Sequence, residues 1–365
     1  MDDFFEKVAE HKTSQLPFVM YSKPNSDTVF GILQNNTILF EVTDFSEKGF
    51  VFASFDKSKM ILIPENESKI IKTVFKNNSN FSIANNDSQH DNLAKISFEN
   101  LVEKGINAIV AKAFKKVVLS RKEEVSLTDF NFIETFQNLI QLYPATFTYC
   151  FYHPKVGFWM GATPEQLLKA SENTFETTAL AGTQQANDTS TEIVWQQKEK
   201  DEQQYVTDFI VKRLQNVASQ ITVTKPYSLK AGAIWHIKTD ISGVLNEEST
   251  LKEVVDLLHP TPAVCGLPKD KAMQFIVANE NYNRTFYTGF LGELNSSLTS
   301  VTKSSDLFVN LRCMQIENDS AMLYMGCGIT KESIPEKEWE ESVNKSMTMK
   351  KVLWKAERLA PRSKI

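Results

Sequence analysis

The chain has 365 residues, 42% of them apolar and 23% charged, with 25 Phe, 9 Tyr and 5 Trp. That composition excludes intrinsic disorder and suffices for about two domains, or one large one burying roughly 75% of its unfolded surface. Forty Lys and Arg against 45 Asp and Glu leave a net charge of −5, so nucleic acid and anionic membranes are not expected partners.

The opening MDDFFEKVAEHK lacks the apolar core of a signal peptide, and no apolar run approaches the roughly 20 residues of a bilayer span. Strand-like stretches follow at Thr28–Leu33, Thr37–Val42 and Phe50–Phe55. The polar tract Lys76–Asn92 reads as a long loop dividing an N-terminal portion, residues 1–95, from the remainder, residues 96–365. Strands are predicted at Val117–Leu119 and Phe147–Tyr152, then a polar loop over Gln184–Glu192. Apolar residues at Val206, Phe209, Ile210, Leu214 and Val217 predict a helix over Glu192–Ser219. Strands follow at Ser305–Arg312 and Ala321–Met325, and a last helix runs from Pro335 through Trp339 towards Leu353. Without a βαβ rhythm, this order reads as α+β. No GxGxxG or GxxxxGK[ST] is present, so the nucleotide-binding templates fail. Cys150, Cys265, Cys313 and Cys327 form no CxxC pair, which predicts free thiols in a reducing cytoplasm.

Several polar residues could carry chemistry. Glu338, Glu341 and Lys345 fall at three- and four-residue spacing on the last helix. The two carboxylates suit a hard ion such as Mg²⁺, or the group is a solvated, salt-bridged helix surface. Glu202 lies four residues before Val206 and so shares the apolar side of its helix; it is a second carboxylate candidate or a solvated helix end. Arg312, at the end of DLFVNLR, could clamp a carboxylate or form an ordinary ion pair. The two glycines of MGCGI allow backbone N–H groups to approach an anion, or simply make a turn. Lys116, opening KVVLSR, either snorkels from the sheet edge or, desolvated, acts as a base. Glu165 in GATPE and His236 in IWHI are single polar groups among apolar neighbours. These residues define candidates and a suggestion of Mg²⁺, not a reaction.

Taken together, KVVLSR, GATPEQLL, TTALAGT, IWHIKT, LLHPTPAVCGLPK, YNRTFYTGFLGEL, NLRC, MGCGI and EWEESVNK resemble the chorismate-utilising enzymes, and among them the isochorismate synthases. Order and spacing agree over about Ser97 to Leu353. The resemblance implies one large domain of central sheets with outer helices, and a Mg²⁺-dependent addition of water at C2 of chorismate with loss of the C4 hydroxyl. It makes Lys116 the general base and Glu165 the general acid, with both pKa values shifted towards neutrality. It makes Glu202 and Glu341 Mg²⁺ ligands, and Glu338 a ligand through water, with Glu199 a possible substitute for Glu202. Gly182, Thr183, His236, Arg312, Gly328 and Lys345 would hold the substrate. Lys116, where ammonia-using anthranilate synthases usually have Gln, favours water and implies no glutamine amidotransferase partner. Ala181 stands where aminodeoxychorismate synthases often carry a Lys nucleophile. The first metal motif reads Glu202-Gln203 rather than the usual Glu-His. The resemblance places the product in menaquinone or catecholate siderophore synthesis. A salicylate synthase is the same-fold alternative, and a silent chorismate-binding paralogue the alternative of another class.

Overall fold

Apolar, β-branched and aromatic runs become strand over most of the chain. In the computed structural model, which describes residues 2–76, 91–185, 193–231, 234–296, 298 and 302–353, these strands form two large sheets. The first runs Gly266–Leu267, Lys116–Ser126, Ser320–Ile329, Cys313–Glu317, Gly157–Thr163, Phe147–His153, Phe18–Ser22, Thr28–Gln34 and Ser68–Val74. The second runs Ala218–Val223, Ile234–Leu245, Thr174–Gln185, Gln166–Ser171, Ser304–Val309, Phe290–Ser296, Gly49–Ala53, Met60–Pro64 and Phe40–Glu41, with Tyr227–Ala231 also on Ile234–Leu245. Neighbouring strands pair antiparallel throughout the described residues, for example Lys116–Ser126 against Ser320–Ile329, so the α+β expectation holds.

The described helices are α1 (Asp2–Thr13), α2 (Asn92–Val110), α3 (Phe132–Leu142), α4 (Gln197–Leu214), α5 (Leu251–Leu258), α6 (Lys269–Asn279) and α7 (Pro335–Leu353). Helices α4 and α5 pack on the second sheet; α1, α2, α3, α6 and α7 pack on the first. None is long and apolar enough to cross a membrane. Between the sheets lies a layer of aromatics drawn from both, including Tyr21, Phe147, Tyr149, Phe151 and Trp159 from the first and Phe50, Phe52 and Phe308 from the second. Phe52 is fully buried, with ring centroids 4.4 Å from Phe286 and 4.5 Å from Phe151.

The structure departs from the sequence reading in places. Strands Phe18–Ser22, Met60–Pro64 and Ser68–Val74 were not anticipated; the first two are buried almost continuously, and the third has no buried residue and breaks its alternation at Ile70–Ile71. Thr37–Val42 is strand only at Phe40–Glu41, because the Gln34 side-chain amide donates to the carbonyls of Asn36 (2.9 Å) and Ile38 (2.7 Å) and bends the chain. The helix expected over Glu192–Ser219 is the shorter α4, since Ala218–Val223 pairs with Ile234–Leu245 instead. The strand expected to reach Arg312 stops at Val309; Arg312 has a left-handed φ of 46°. Most of the Lys76–Asn92 tract lies outside the described residues, as does 186–192 of the Gln184–Glu192 tract, whose first two residues are strand. Asp91 caps α2, accepting from the Leu93 and Ala94 N–H groups. Strands from residues 18–74 occupy places in both sheets. All four cysteines are buried and free.

Because Phe52 is enclosed by Tyr149, Phe151 and Trp159 of the first sheet and by Phe286, Phe52→Ala should leave a cavity in that layer. The expected loss is about 3–5 kcal/mol of stability, read as a lowered denaturant midpoint at unchanged slope in urea unfolding.

Candidate active site

Two crossings between the sheets deliver the first pair of side chains. Between Gly157–Thr163 of the first sheet and Gln166–Ser171 of the second, the chain spends only Pro164 and Glu165. Between Ser304–Val309 of the second and Cys313–Glu317 of the first it spends Asn310, Leu311 and Arg312. The crossings are tied together: Thr163 Oγ1 donates to the Val309 carbonyl at 2.6 Å, and the Val309 N–H donates to the Glu165 carbonyl at 2.9 Å. Asn310, fully buried, accepts from the Tyr149 hydroxyl and donates to the Phe286 carbonyl.

Beside these crossings lies a cavity of about 560 Å³, a size suited to a small ligand. Lys116, Glu165, Gly182, Glu202, His236, Arg312, Gly328, Glu338, Glu341 and Lys345 all line it. Thr183 pairs with His236 across the strands on its wall. Residues separated by up to 229 positions thus converge on one cavity. Glu199, the possible substitute, lines the same cavity.

Each wall has a local cause. Lys116 begins its strand and is held on the edge by Leu267. Gly328, in the adjacent strand, leaves room for it: a Cβ there would sit 3.1 Å from Lys116 Cε. Gly182 makes the bulge that interrupts the Thr174–Gln185 ladder; its φ of 69° suits glycine, and its carbonyl lies 3.2 Å from His236 Nδ1. A Cβ on Gly182 would meet Glu199 Cβ at 3.2 Å, so the glycine also lets α4 approach. Gln203 is 1% exposed and donates to the Ala179 carbonyl (3.0 Å) and Thr239 Oγ1 (2.9 Å). It anchors α4 to the sheet, which leaves Glu202 and Glu199 on the cavity side.

The electrostatics are mixed in sign. Desolvation at the cavity wall pushes the Glu165 carboxyl up to about 7, against the opposing charge of Lys116. Lys116 Nζ donates to Glu202 Oε1 at 3.0 Å. Lys345 Nζ pairs with Glu341 Oε1 at 2.5 Å and donates to the Gly326 carbonyl at 2.8 Å. Arg312 Nη1 donates to Thr348 Oγ1 at 3.3 Å. Desolvation lowers the His236 pKa from its ordinary value, keeping the imidazole neutral.

The oxygen donors fit a hard divalent cation. Glu338 Oε, Glu341 Oε and Cys327 Sγ offer ligand atoms within 4.8 Å of one another. Burial pushes the Cys327 thiol up to about 12, so it stays protonated and the carboxylates are the hard donors. Burial, and then Glu341 beside it, raise Glu338 from its usual range against the Ser333 hydrogen bond and the positive charge of Lys345. On α4, Glu199 Oε2 is buried with no hydrogen-bond partner. That oxygen is a further hard donor atom at the cavity wall.

Tyr287, Thr288, Lys337, Thr330, Glu332 and Ser333 also line the cavity, and sequence reasoning did not single them out. Tyr287 and Thr288 lie inside YNRTFYTGFLGEL, where Thr285 at φ 49° and Thr288 at φ 60° mark local constraint. Lys337, Glu332 and Ser333 sit among ordinary surface-type residues and carried no signal.

The family model described as "Chorismate binding enzyme" matches residues 51–354. The chain belongs to the chorismate-binding enzyme family. Among curated members, isochorismate synthase DhbC of Bacillus subtilis (strain 168) is 30% identical over 69% of this chain and 66% of its own length. Isochorismate synthase MenF of Escherichia coli (strain K12) is 30% identical over 71% of this chain and 60% of its own. Anthranilate synthase component 1 of Thermococcus kodakarensis is 28% identical over 70% and 60%. These matches span less than two thirds of the relatives' lengths. The MenF crystal structure superposes with a TM-score of 0.76 at 23% identity, over 92% of this chain and 88% of that one, a likeness of fold.

For this family member the carboxylate cluster makes a direct prediction. Glu341→Ala should weaken binding of Mg²⁺ or Mn²⁺ by roughly 10–100-fold, measured by titration calorimetry without substrate. An unchanged isotherm would remove Glu341 from the metal site.

Proposed function

We propose that this chain is an isochorismate synthase, which adds water at C2 of chorismate and expels the C4 hydroxyl. The observation that carries the reading is the pairing of a carboxyl pushed up to about 7, Glu165, with a lysine, Lys116, on the wall of one cavity. A carboxylic acid still protonated near neutrality can hand its proton to a departing hydroxyl. Lys116 takes a proton from the attacking water in its neutral amine form, which requires that its pair with Glu202 opens and that its ammonium first gives a proton to solvent. One proton is taken and one given, so substrate and product are isomers. Exchange with solvent then restores both groups. His236, Arg312 and Lys345, with backbone N–H groups around Gly182 and Gly328, supply donors and positive charge for a dianionic substrate.

Glu338, Glu341 and Glu202, with Glu199 beside them, would hold Mg²⁺. The chemistry such an ion supplies is electrostatic: it offsets the charge of the substrate's ring carboxylate. Lys116 in place of an ammonia-specific residue supports water as nucleophile, and with it a reaction that needs no glutamine amidotransferase subunit. The similarity to DhbC and MenF supports isochorismate as the product, which we place in siderophore or menaquinone synthesis in the cytoplasm.

Purified protein incubated with chorismate and Mg²⁺, with products separated by chromatography and mass spectrometry, tests this. A product isomeric with chorismate and no pyruvate is expected. Salicylate with pyruvate would replace the reading by a salicylate synthase, and untouched chorismate would point to a silent paralogue.

The pH dependence follows from Glu165. Its folded pKa is raised, so the acid form is full below about 7 and is lost above it. The kcat/KM profile should therefore fall about tenfold per pH unit on the alkaline side of 7. Glu165→Gln should reduce kcat by about 10²–10⁴-fold and abolish that limb. A limb that persists in the variant would assign it to another group.

A further inference from the structure

Helix α7 carries two stripes of side chains one residue apart. Trp339, Ser342, Ser346, Met349 and Lys350 are buried against the body of the protein. Glu338, Glu341 and Lys345 line the cavity. At 3.6 residues per turn, a rotation of about 100° would exchange the two stripes, so whatever fixes that rotation also fixes where the carboxylates point.

Trp339 packs against Phe98 of α2, and the charged contacts to the buried stripe come from the Lys116 strand. Arg121, five residues beyond Lys116, is 7% exposed. Its Nε donates to Ser342 Oγ at 2.8 Å, and its guanidinium lies 4.4 Å from the centroid of the Trp339 ring. Its Nη1 donates to Glu123 Oε2 at 3.0 Å, and the other oxygen of Glu123 pairs with Lys350. One buried cation thus grips α7 at positions 339 and 342 and, through Glu123, at 350. The grip at 339 and 342 is one residue from each cavity-facing glutamate. Burying a guanidinium is costly unless it is paired, and its planar fork supplies both a directional donor and a stacking face, which no apolar side chain combines. Other contacts to α7 act differently: Tyr143 and Asn138 donate to the backbone carbonyls of Thr348 and Val352 at its far end.

We propose that Arg121 is a positioning residue that sets the rotation of α7, and so aims Glu338, Glu341 and Lys345 into the cavity. The proposal deepens the metal assignment made above and rests on it for one of its two readouts.

The test uses the full chain, without substrate, in wild type, Arg121→Met and Arg121→Lys. Met keeps the bulk of the stem while Glu123 retains Lys350. Mn²⁺ affinity is measured by electron paramagnetic resonance, and amide exchange over 335–353 by mass spectrometry, well below the melting temperature. In folded Arg121→Met, Mn²⁺ should bind roughly 10–100-fold more weakly, with faster exchange around residues 338–345; Arg121→Lys should recover part of both. A role confined to stability would lower the melting temperature and leave the Mn²⁺ affinity of the folded protein unchanged, which overturns the proposal. If Arg121→Met does not fold, Ser342→Ala removes only the hydroxyl that Arg121 grips. Weaker Mn²⁺ binding there supports the proposal, and wild-type affinity overturns it. Should the wild type itself bind no Mn²⁺, the metal reading fails separately. Exchange over 338–345 then decides the matter: faster in Arg121→Met supports the clasp, unchanged overturns it.

Discussion

Two large antiparallel sheets must cover one another's apolar faces, and the aromatic layer between them is the constraint on which the rest of the molecule depends. Phe52 stacks on Phe286, Phe147 on Phe308 at 4.5 Å, and Trp159 on Tyr324 at 5.3 Å. Such contacts bury large areas and prefer defined ring geometries, so the sheets have little freedom to slide. The chain passes between the sheets at short crossings, and those crossings carry Glu165 and Arg312. Packing that holds the sheets in register therefore also holds an acid and a cation at one end of the seam.

A second, polar device fixes the edge where Lys116 lies. Glu280 and Arg284 are buried and paired; Arg284 also donates to the carbonyls of Val118 (2.7 Å) and Val264 (3.0 Å), while Glu280 accepts from the backbone N–H and hydroxyl of Ser120, each at 2.8 Å. Carbonyls and an N–H that would otherwise be orphaned beyond the short edge strand are satisfied in this way. Both Val118 and Val264 line the cavity, so the ion pair joins the Lys116 strand to the loop facing it. Breaking one partner of a buried pair typically costs about 3–5 kcal/mol, which sets how firmly that wall is held.

Charges around the cavity are arranged in opposed pairs, Lys116 with Glu202 and Lys345 with Glu341. Each pair sets a cation against a carboxylate on the cavity wall, so neither charge stands alone. Glu165 stands outside these pairs, and desolvation is accordingly the dominant influence on it. The same wall therefore carries two carboxylates held in ion pairs and one carboxyl that desolvation raises to about 7.

The sequence by itself determined the class of fold, the extent of α7 and every candidate that later met in the cavity, because period-two and period-3.6 patterns and runs such as KVVLSR and GATPEQLL are local properties of the chain. It did not separate Glu338 and Glu341 on a cavity wall from the same two residues on a solvated helix; spacing is identical in both. It extended the strand to Arg312, since alternation cannot register that Asn310 is claimed by Tyr149 and Phe286 and that the chain leaves one sheet for the other there. It was silent on Tyr287, Thr288 and Lys337, whose place in the cavity depends on elements brought together from distant parts of the chain. Only the tertiary structure decided which carboxyl desolvation raises and which glutamates line the cavity. The reason is that desolvation and charge pairing depend on distances through space, and those exist only once the two sheets have closed on their aromatic layer.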